Sequence, residues 1–356
     1  MKLNKGIKKA LLLLSVTSLI TTSVLAAPVT EKKELDLEHA IGMAISKDDT
    51  LAQYSRSIEV YKEQKKVTSD LSSAVYNEKA ILLNEAERKK QYRKDVITKD
   101  VTNQYQDIVL LQKNIELLKE QISLNEKQVK QASIKKEKGF CDDLTYEKAV
   151  LTLETAKTRK EQAEKNLEDA KKSFLKLTNL NLDRYILKVD DTYEPFIIEE
   201  SIASYASTMA TELVKYTEQR IQLSEENFWE NISTAGNGGT APTYDVYLEQ
   251  KSNLQNSKEN VKSMYDSYRL LIETKYTVLN AQLDTINTKA NEYKNSVKEM
   301  KALEIKYKAG YISTLDYETQ KVALDTKQVD YLNEVYKYNI LKMQFEKPWT
   351  MSEYSF

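Results

Sequence analysis

The chain has 356 residues, a formal net charge of −1 and 30% charged side chains. This near-neutral charge gives no sign of a nucleic-acid-binding protein, and the single histidine argues against a histidine-based triad or relay. Because no glycine-rich phosphate loop and no Cys/His metal spacing occurs either, the sequence predicts a protein that is not an enzyme and has no metal site and no cofactor.

The N-terminus carries the pattern of an export signal. Four lysines in the first nine residues precede an apolar run over residues 10–25, and residues 24–26 suit cleavage before Ala27. We predict a signal peptide over 1–26 and therefore a location in the extracytoplasmic cell envelope, with an uncleaved anchor as the alternative. Loss of the four lysines changes the charge from −1 to −1 − 4 = −5.

Long stretches without helix breakers follow the signal. Only 7 glycines and 4 prolines occur, and neither is found between Gly42 and Gly139 or from Thr243 to Ala309. Such stretches favour very long helices. Apolar spacing predicts short helices over 35–47 and 51–69, with Asp48 and Asp49 supplying the N-cap of the second, then a reversal at 69–73 and a long helix over 74–138.

The next helix has the most regular apolar pattern in the chain. Spacings of four and three alternate without a break through a seam, with Lys160 as its only polar member, and this is the pattern of coiled-coil packing. The seam consists of Ala149, Leu153, Ala156, Lys160, Ala163, Leu167, Ala170, Phe174 and Leu177. We predict that the stem of Lys160 lies along the seam and that its ammonium reaches an edge or a carboxylate.

Residues 180–199 interrupt the helices. Residues 185–189 are β-prone, Pro195 is a breaker and residues 196–198 are apolar, which predicts a small β patch. A helix over 203–231 follows, aligned loosely with the first half by the pairs Ala40/Ala203, Leu51/Val214 and Ile58/Ile221. We then predict a loop over 232–243, a second long helix over 244–309 and a last helix over 315–346.

Two short turns show that the chain is an internal duplication. At an offset of 171 residues, 134–155 and 305–326 share eight identities in 22 positions, including Gly139/Gly310. A helix that ends in glycine permits a positive φ there, the next aromatic can pack back on the last turn, and Asp143 or Thr314 suits the N-cap of the following helix. The predicted fold is all-α, with long antiparallel coiled-coil hairpins in two tandem repeats.

The layout resembles the TolC-like outer membrane efflux protein family. Residues 35–41 (LDLEHAI) with 49–51 (DTL) resemble the entry helices of that family, and each Gly-aromatic turn followed by Leu-x-Tyr-Glu resembles its hairpin tips. The resemblance implies a homotrimer with a helical tunnel, tips that face an adaptor and an inner-membrane pump, an outer-membrane location, and an equatorial position for 180–199. It divides the chain into a first repeat (27–200), a second repeat (201–348) and a tail (349–356).

The sequence departs from this family at the two reversals. Family members have strands there that close into a barrel through the outer membrane, and each such strand needs about 9–11 residues. Residues 69–73 and 232–243 are too short for two strands each. The sequence therefore predicts a version that lacks the membrane strands, which puts the outer-membrane location in doubt.

The hairpin tips are the candidate functional site. The candidate partner-docking residues are Gly139, Phe140, Asp142, Asp143, Leu144, Gly310, Tyr311, Ser313, Thr314 and Leu315. Their apolar side chains either dock a partner tip to tip or only staple their own turns. The predicted function is an envelope efflux or secretion component that acts with an adaptor and a pump, and the alternative is a non-conducting coiled-coil rod at the cell surface.

Overall fold

The computed structural model describes residues 32–68, 73–235 and 242–351. In chain order these residues form β1 (Lys33–Leu35), α1 (Leu37–Lys47), α2 (Asp49–Val67), α3 (Ser73–Glu137), α4 (Asp143–Thr178), a 3-10 turn (Leu182–Arg184), β2 (Tyr185–Leu187), α5 (Ile202–Ala235), α6 (Tyr244–Lys308), α7 (Thr314–Glu346) and a second 3-10 turn (Pro348–Thr350). The all-α prediction is confirmed, and the helix bounds lie close to those read from the sequence.

Several predictions concern residues outside the described ranges. The signal peptide at 1–26, residues 69–72 of the first reversal and residues 236–241 of the second loop belong to this group. The prediction that this version lacks membrane strands therefore stays a prediction. None of the described helices combines the length and the apolarity that a membrane-spanning helix needs.

Two very long helices organise the fold. The helices α3 and α6 have 65 residues each, or roughly 98 Å at 1.5 Å per residue. Towards the Gly139 and Gly310 turns, the helices pack side by side in the order α4, α3, α7, α6. In the other half of the layer, the order is α2, α3, α5, α6. The chain is therefore a helical layer with α4 and α2 along one edge and α6 along the other.

The coiled-coil seam of α4 is confirmed. Leu153, Ala156 and Ala163 are buried and Phe174 is fully buried, while nearly all the intervening residues are exposed. The side chain of Lys160 is 27% exposed, and its Nζ lies 2.8 Å from the Glu164 carboxylate. The stem therefore follows the seam while the ammonium reaches a carboxylate, as predicted.

The small β patch is confirmed in β2, but its partner strand was missed. Strand β1 pairs in parallel with β2, and Leu35 is opposite Leu187. The predicted helix start at residue 35 is therefore wrong, since Leu35 is a buried strand residue and α1 begins at Leu37 after the N-cap Asp36. The apolar run 196–198 forms no strand, and the Phe196 N–H donates instead to the Tyr338 hydroxyl at 2.8 Å.

Tyr105 of α3 holds the β patch against the helices. Its hydroxyl donates to the Leu35 carbonyl at 2.8 Å and lies 3.1 Å from the Lys188 carbonyl, so one side chain reaches both chain segments. Burial raises the pKa of Tyr105 to about 12, which keeps the hydroxyl protonated as a donor. The Phe174 ring lies 6.4 Å away, so α4 joins the same cluster.

The end of the chain packs on α3. The Trp349 ring stacks on Tyr92 with centroids 4.4 Å apart, and its Nε1–H donates to Asp95 at 2.9 Å. The Lys347 ammonium lies 2.7 Å from the same carboxylate. Asp95 is 5% exposed, and a buried carboxylate requires such partners.

The loose alignment of α5 with the first half needs a correction. Ala40 is fully buried, whereas Ala203 is exposed, and the fully buried alanines of α5 are Ala206 and Ala210. The buried pair Ala40 and Ala44 therefore matches α5 at an offset of 166 residues rather than 163. The later pairs fit 163, so the first repeat has three extra residues around the break between α1 and α2.

Charged residues link α3 to α7. Lys321 of α7 lies 3.5 Å from Glu120 of α3 and 4.0 Å from Asp325 of its own helix. Partial burial and the neighbouring Glu120 carboxyl raise the pKa of Asp325 to about 6, and Lys321 offsets this only in part. Ionised Asp325 therefore disfavours the packing of α3 on α7 at neutral pH.

We predict that Asp325→Asn raises the melting temperature at pH 7.5 more than at pH 5. Because the folded-state pKa of Asp325 lies above its unfolded value, the destabilisation is largest above pH 6 and disappears as the carboxyl becomes protonated. Each kcal/mol recovered corresponds to roughly 2–4 °C. Asp330→Asn, an exposed change on the same helix, is the control, and equal shifts at both pH values would contradict the prediction.

Candidate functional site: the two hairpin tips

Both tips have the same backbone geometry. Gly139 and Gly310 adopt φ values of +73° and +78°. At the first tip, the Phe140 N–H donates to the Lys135 carbonyl at 2.8 Å and the Gly139 N–H donates to the Lys136 carbonyl at 2.9 Å. The second tip repeats both bonds at equivalent positions. This pair of bonds is the Schellman motif, which depends on a left-handed residue after the helix.

The N-caps after the turns lie one residue earlier than predicted. The Asp142 carboxylate accepts from the Thr145 N–H at 2.9 Å, and the Ser313 hydroxyl accepts from the Asp316 N–H at 3.1 Å. Asp143 and Thr314 are instead the first residues of α4 and α7. The prediction erred because Asp142 and Asp143, like Ser313 and Thr314, are equally suitable caps by residue type.

The aromatic residue after each glycine points into solvent. Phe140 is 80% exposed and Tyr311 is 82% exposed. Neither ring therefore packs back on the last turn of its own helix, although the sequence suggested that it could. Leu144 is 56% exposed, whereas Leu315 is half-buried. Rings that stabilise their own turn would lose most of their exposure, so these two side chains are available for contact with another molecule.

Side chains at equivalent positions brace the two tips in different ways. In the first tip, Lys136 lies 2.9 Å from Asp143 and 4.9 Å from the Tyr146 ring centroid. In the second tip, Tyr307 takes the place of Lys136, and its ring stacks on Tyr317 at 4.5 Å. The Tyr307 hydroxyl also lies 3.3 Å from the Thr314 hydroxyl. A charge-based brace and a ring-based brace therefore support the same backbone turn.

The tips are also unlike in charge. Asp142 and Asp143 of the first tip correspond to the uncharged Ser313 and Thr314 of the second. Hydrogen bonds from Thr145 lower the pKa of Asp142, so its carboxylate is ionised at neutral pH. Asp143 is paired with Lys136, and that contact raises the pKa of Lys136. The negative charge that a partner meets at the first tip is therefore mainly that of Asp142.

The first tip extends beyond the second. Lys127 of α3 pairs with Glu318 of α7, and these residues lie twelve positions from Gly139 and eight positions from Gly310, respectively. The helical parts of these stretches are ten residues, from Lys127 to the end of α3, and four residues, from the start of α7 to Glu318, a difference of six residues or about 9 Å. Lys127 and Glu318 thus fix the hairpins side by side with their ends at different heights.

Other chemistry near the tips is sparse. Cys141 is half-buried, and its Sγ lies 3.4 Å from the Asp142 carbonyl. Within residues 32–68, 73–235 and 242–351, no group of three or more His, Cys, Asp or Glu side chains is arranged to hold a metal ion. His39 is on an exposed helix surface, as predicted.

Sequence reasoning did not identify Asp325 and Glu120 as a pair, because they lie on helices whose relative position only the fold defines.

The fold is similar to that of outer membrane channels. No protein-family model matches the chain, and no curated protein matches its sequence. The outer membrane protein VceC of Vibrio cholerae is 11% identical, with a TM-score of 0.59 over 87% of this chain and 95% of VceC. The CmeC outer membrane channel of Campylobacter jejuni is 14% identical, with a TM-score of 0.55 over 94% of each chain.

A third solved structure agrees with these two. CusC, whose structures describe folding and transmembrane channel formation, is 10% identical, with a TM-score of 0.63 over 92% of this chain and 95% of CusC. The predicted resemblance to TolC-family channels is confirmed at the level of the fold. At such low identity, the likeness shows the fold and leaves function to be argued separately.

We predict that Gly139→Ala and Gly310→Ala each destabilise the protein by about 1–2 kcal/mol, since a side chain disfavours the left-handed conformation. A Cβ at either position meets no atom within 4 Å, so the cost is conformational and not steric. Gly42→Ala is the matched control, because Gly42 lies within α1 with open space around it and alanine favours a helix by about 1 kcal/mol. In thermal unfolding, the tip variants should lower the melting temperature and Gly42→Ala should raise it. Equal shifts for all three variants would contradict the prediction.

Proposed function

We propose that this chain is an exported TolC-like helical-tunnel protein that acts in efflux or secretion across the cell envelope. In this proposal, its two repeats (27–200 and 201–348) assemble with further copies into a closed ring. The tips at Gly139 and Gly310 dock an adaptor that connects the ring to an inner-membrane pump. The observation that carries the proposal is the pair of exposed rings, Phe140 and Tyr311, on matching turns at one end of a channel-type fold.

The open edges of the helical layer support assembly. The edge helix α4 exposes Leu151 at 68% and Leu175 at 41%, and the edge helix α6 exposes Leu270 at 64% and Ile305 at 71%. These side chains give each edge apolar contact points at two separate levels of the rod. Since α4 and α6 are at opposite edges, α4 of one copy would meet α6 of the next, a head-to-tail contact that closes when its rotation fits a ring.

The solved structures of similar fold support an envelope role. VceC and CmeC are described as outer membrane proteins or channels, and neither is an enzyme by its description. The export signal predicted at residues 1–26 supports the same compartment. The family resemblance adds a trimer, an adaptor and a pump to this proposal.

We expect multi-angle light scattering to give three times the monomer mass for the purified protein. The paired changes Leu151→Glu and Leu270→Glu should reduce the mass to that of the monomer, because they place carboxylates on both apolar edges. Ile197→Glu is the control, since Ile197 is 80% exposed in the segment between β2 and α5, outside the helices that form the edges. A monomeric parent at high concentration, alone and with a candidate adaptor, would contradict the proposal.

We expect deletion of the protein to raise the accumulation of a dye such as ethidium in its own cells. The parent chain should restore export, and the double variant Phe140→Ser with Tyr311→Ser should not, although its oligomeric mass stays unchanged. Val67→Ser is the control, because Val67 is an exposed apolar residue at the far end of α2 (74% exposed). This variant should restore export. Unchanged accumulation after deletion would favour the non-conducting rod.

A further inference from the structure

A groove between α5 and α6 is lined entirely by uncharged residues. It has a volume of about 430 Å³ and contains no charged side chain, although 30% of all residues are charged. We call it the amide groove. Its polar lining consists of Ser224, Asn227, Asn231, Gln250, Asn253 and Ser257. The volume lies within the range of small-molecule sites, about 300–1,000 Å³.

The change in lining is local. The next stretch of the same interhelical groove, which shares Ile221, is lined by charged residues that include Glu218, Lys258 and Lys262. There Lys258 pairs with Glu225 at 2.6 Å. The lining of the amide groove contains no ion pair, so paired charges do not account for its composition.

Several polar groups of the amide groove have hydrogen-bonding capacity to spare. Within the part of the chain that the structure describes, the side-chain amides of Asn227, Gln250 and Asn253 make no hydrogen bond to protein. Each such amide offers two donors and an acceptor. The hydroxyls of Ser224 and Ser257 donate to carbonyls of their own helices and keep free lone pairs.

Aromatic rings adjoin the amide groove at the end nearest residues 228 and 244. The Phe228 ring, in the groove wall, stacks on Tyr247 with centroids 5.7 Å apart, and Tyr247 stacks on Tyr244 at 6.3 Å. Tyr244 is 75% exposed, and Trp229, beside Phe228, is 50% exposed. Flat rings next to uncharged amides combine an apolar face with donors and acceptors.

The charge around the amide groove excludes an anionic ligand. Residues 224–235 and 244–258 contain five carboxylates and two lysines, a net charge of −5 + 2 = −3. Phosphates and anionic membrane surfaces are repelled by such a region. The lining itself offers no carboxylate to pair with a cation, so the groove best fits an uncharged ligand that is rich in donors and acceptors and partly apolar on one face. Sugars have these properties, since a pyranose ring carries hydroxyls at its edge and C–H groups on its face.

We propose that the amide groove binds an uncharged glycan, with amides on the sugar hydroxyl or acetamido groups and the neighbouring rings against sugar C–H faces. Glycan binding would hold this end of the rod against an envelope polysaccharide. The site lies on α5 and α6 at residues 224–257 and uses neither tip, so this inference is independent of the proposed function. Either can fail while the other stands.

The test uses the fluorescence of Trp229. The chain has two tryptophans, and Trp349→Phe removes the one that stacks on Tyr92. We expect saturable emission changes with the β-1,4-linked trimer of N-acetylglucosamine or with maltotriose. Asn227→Ala with Asn253→Ala should weaken binding roughly tenfold or more, because two hydrogen bonds are lost. Saturation-transfer NMR on the sugar protons is a second measurement that does not depend on Trp229.

Asn256→Ala is the matched control, because Asn256 is an exposed amide on α6 outside the amide groove, and it should leave binding unchanged. Circular dichroism should show equal helicity for all variants. The proposal is overturned if neither trisaccharide binds at 10 mM by either measurement, or if the double variant binds as well as its parent. Binding of an acetylated alanine peptide or of phosphatidylglycerol vesicles in place of the sugars would also overturn it.

Discussion

The structure depends on how little apolar surface each long helix can bury. In a chain with 30% charged residues, a helix with one apolar stripe meets its partner along a narrow seam. In α4, the seam uses small residues such as Ala156 and Ala163, which bring the helix axes close together. Apolar contacts are thus spread thinly along the rod, and the largest buried cluster of the described residues lies at the level of the β patch, where Tyr105 and Phe174 close a thicker core.

This uneven core explains which parts of the fold the sequence predicted. The absence of breakers between Gly42 and Gly139 and the regular seam of α4 are properties of long segments, so they predict helices and packing faces reliably. Strand β1 has three residues, and no alternation can be read from so short a segment. Its pairing with β2 depends on contacts 152 residues apart in sequence, and local propensity contains no information on such contacts.

The candidate site was predictable in place but not in detail. The duplicated turns and their left-handed conformation follow from residue type, because few residue types other than glycine, found here at Gly139 and Gly310, tolerate that conformation. Whether Phe140 packs on its own helix or faces solvent depends on a rotamer that the sequence does not define. The amide groove was missed because its residues lie on two helices, and neither helix alone shows an unusual pattern.

The two tips also differ in how strongly dissolved salt affects them. The first is braced by attraction between Lys136 and Asp143, both largely exposed, and mobile ions screen such attraction over about 10 Å at 0.1 M. The second is braced by the stacked rings of Tyr307 and Tyr317, which ions do not screen. Rising ionic strength would therefore loosen one end-turn and leave its duplicate firm, so a single ancestral hairpin has given rise to one contact that responds to ionic strength and one that does not.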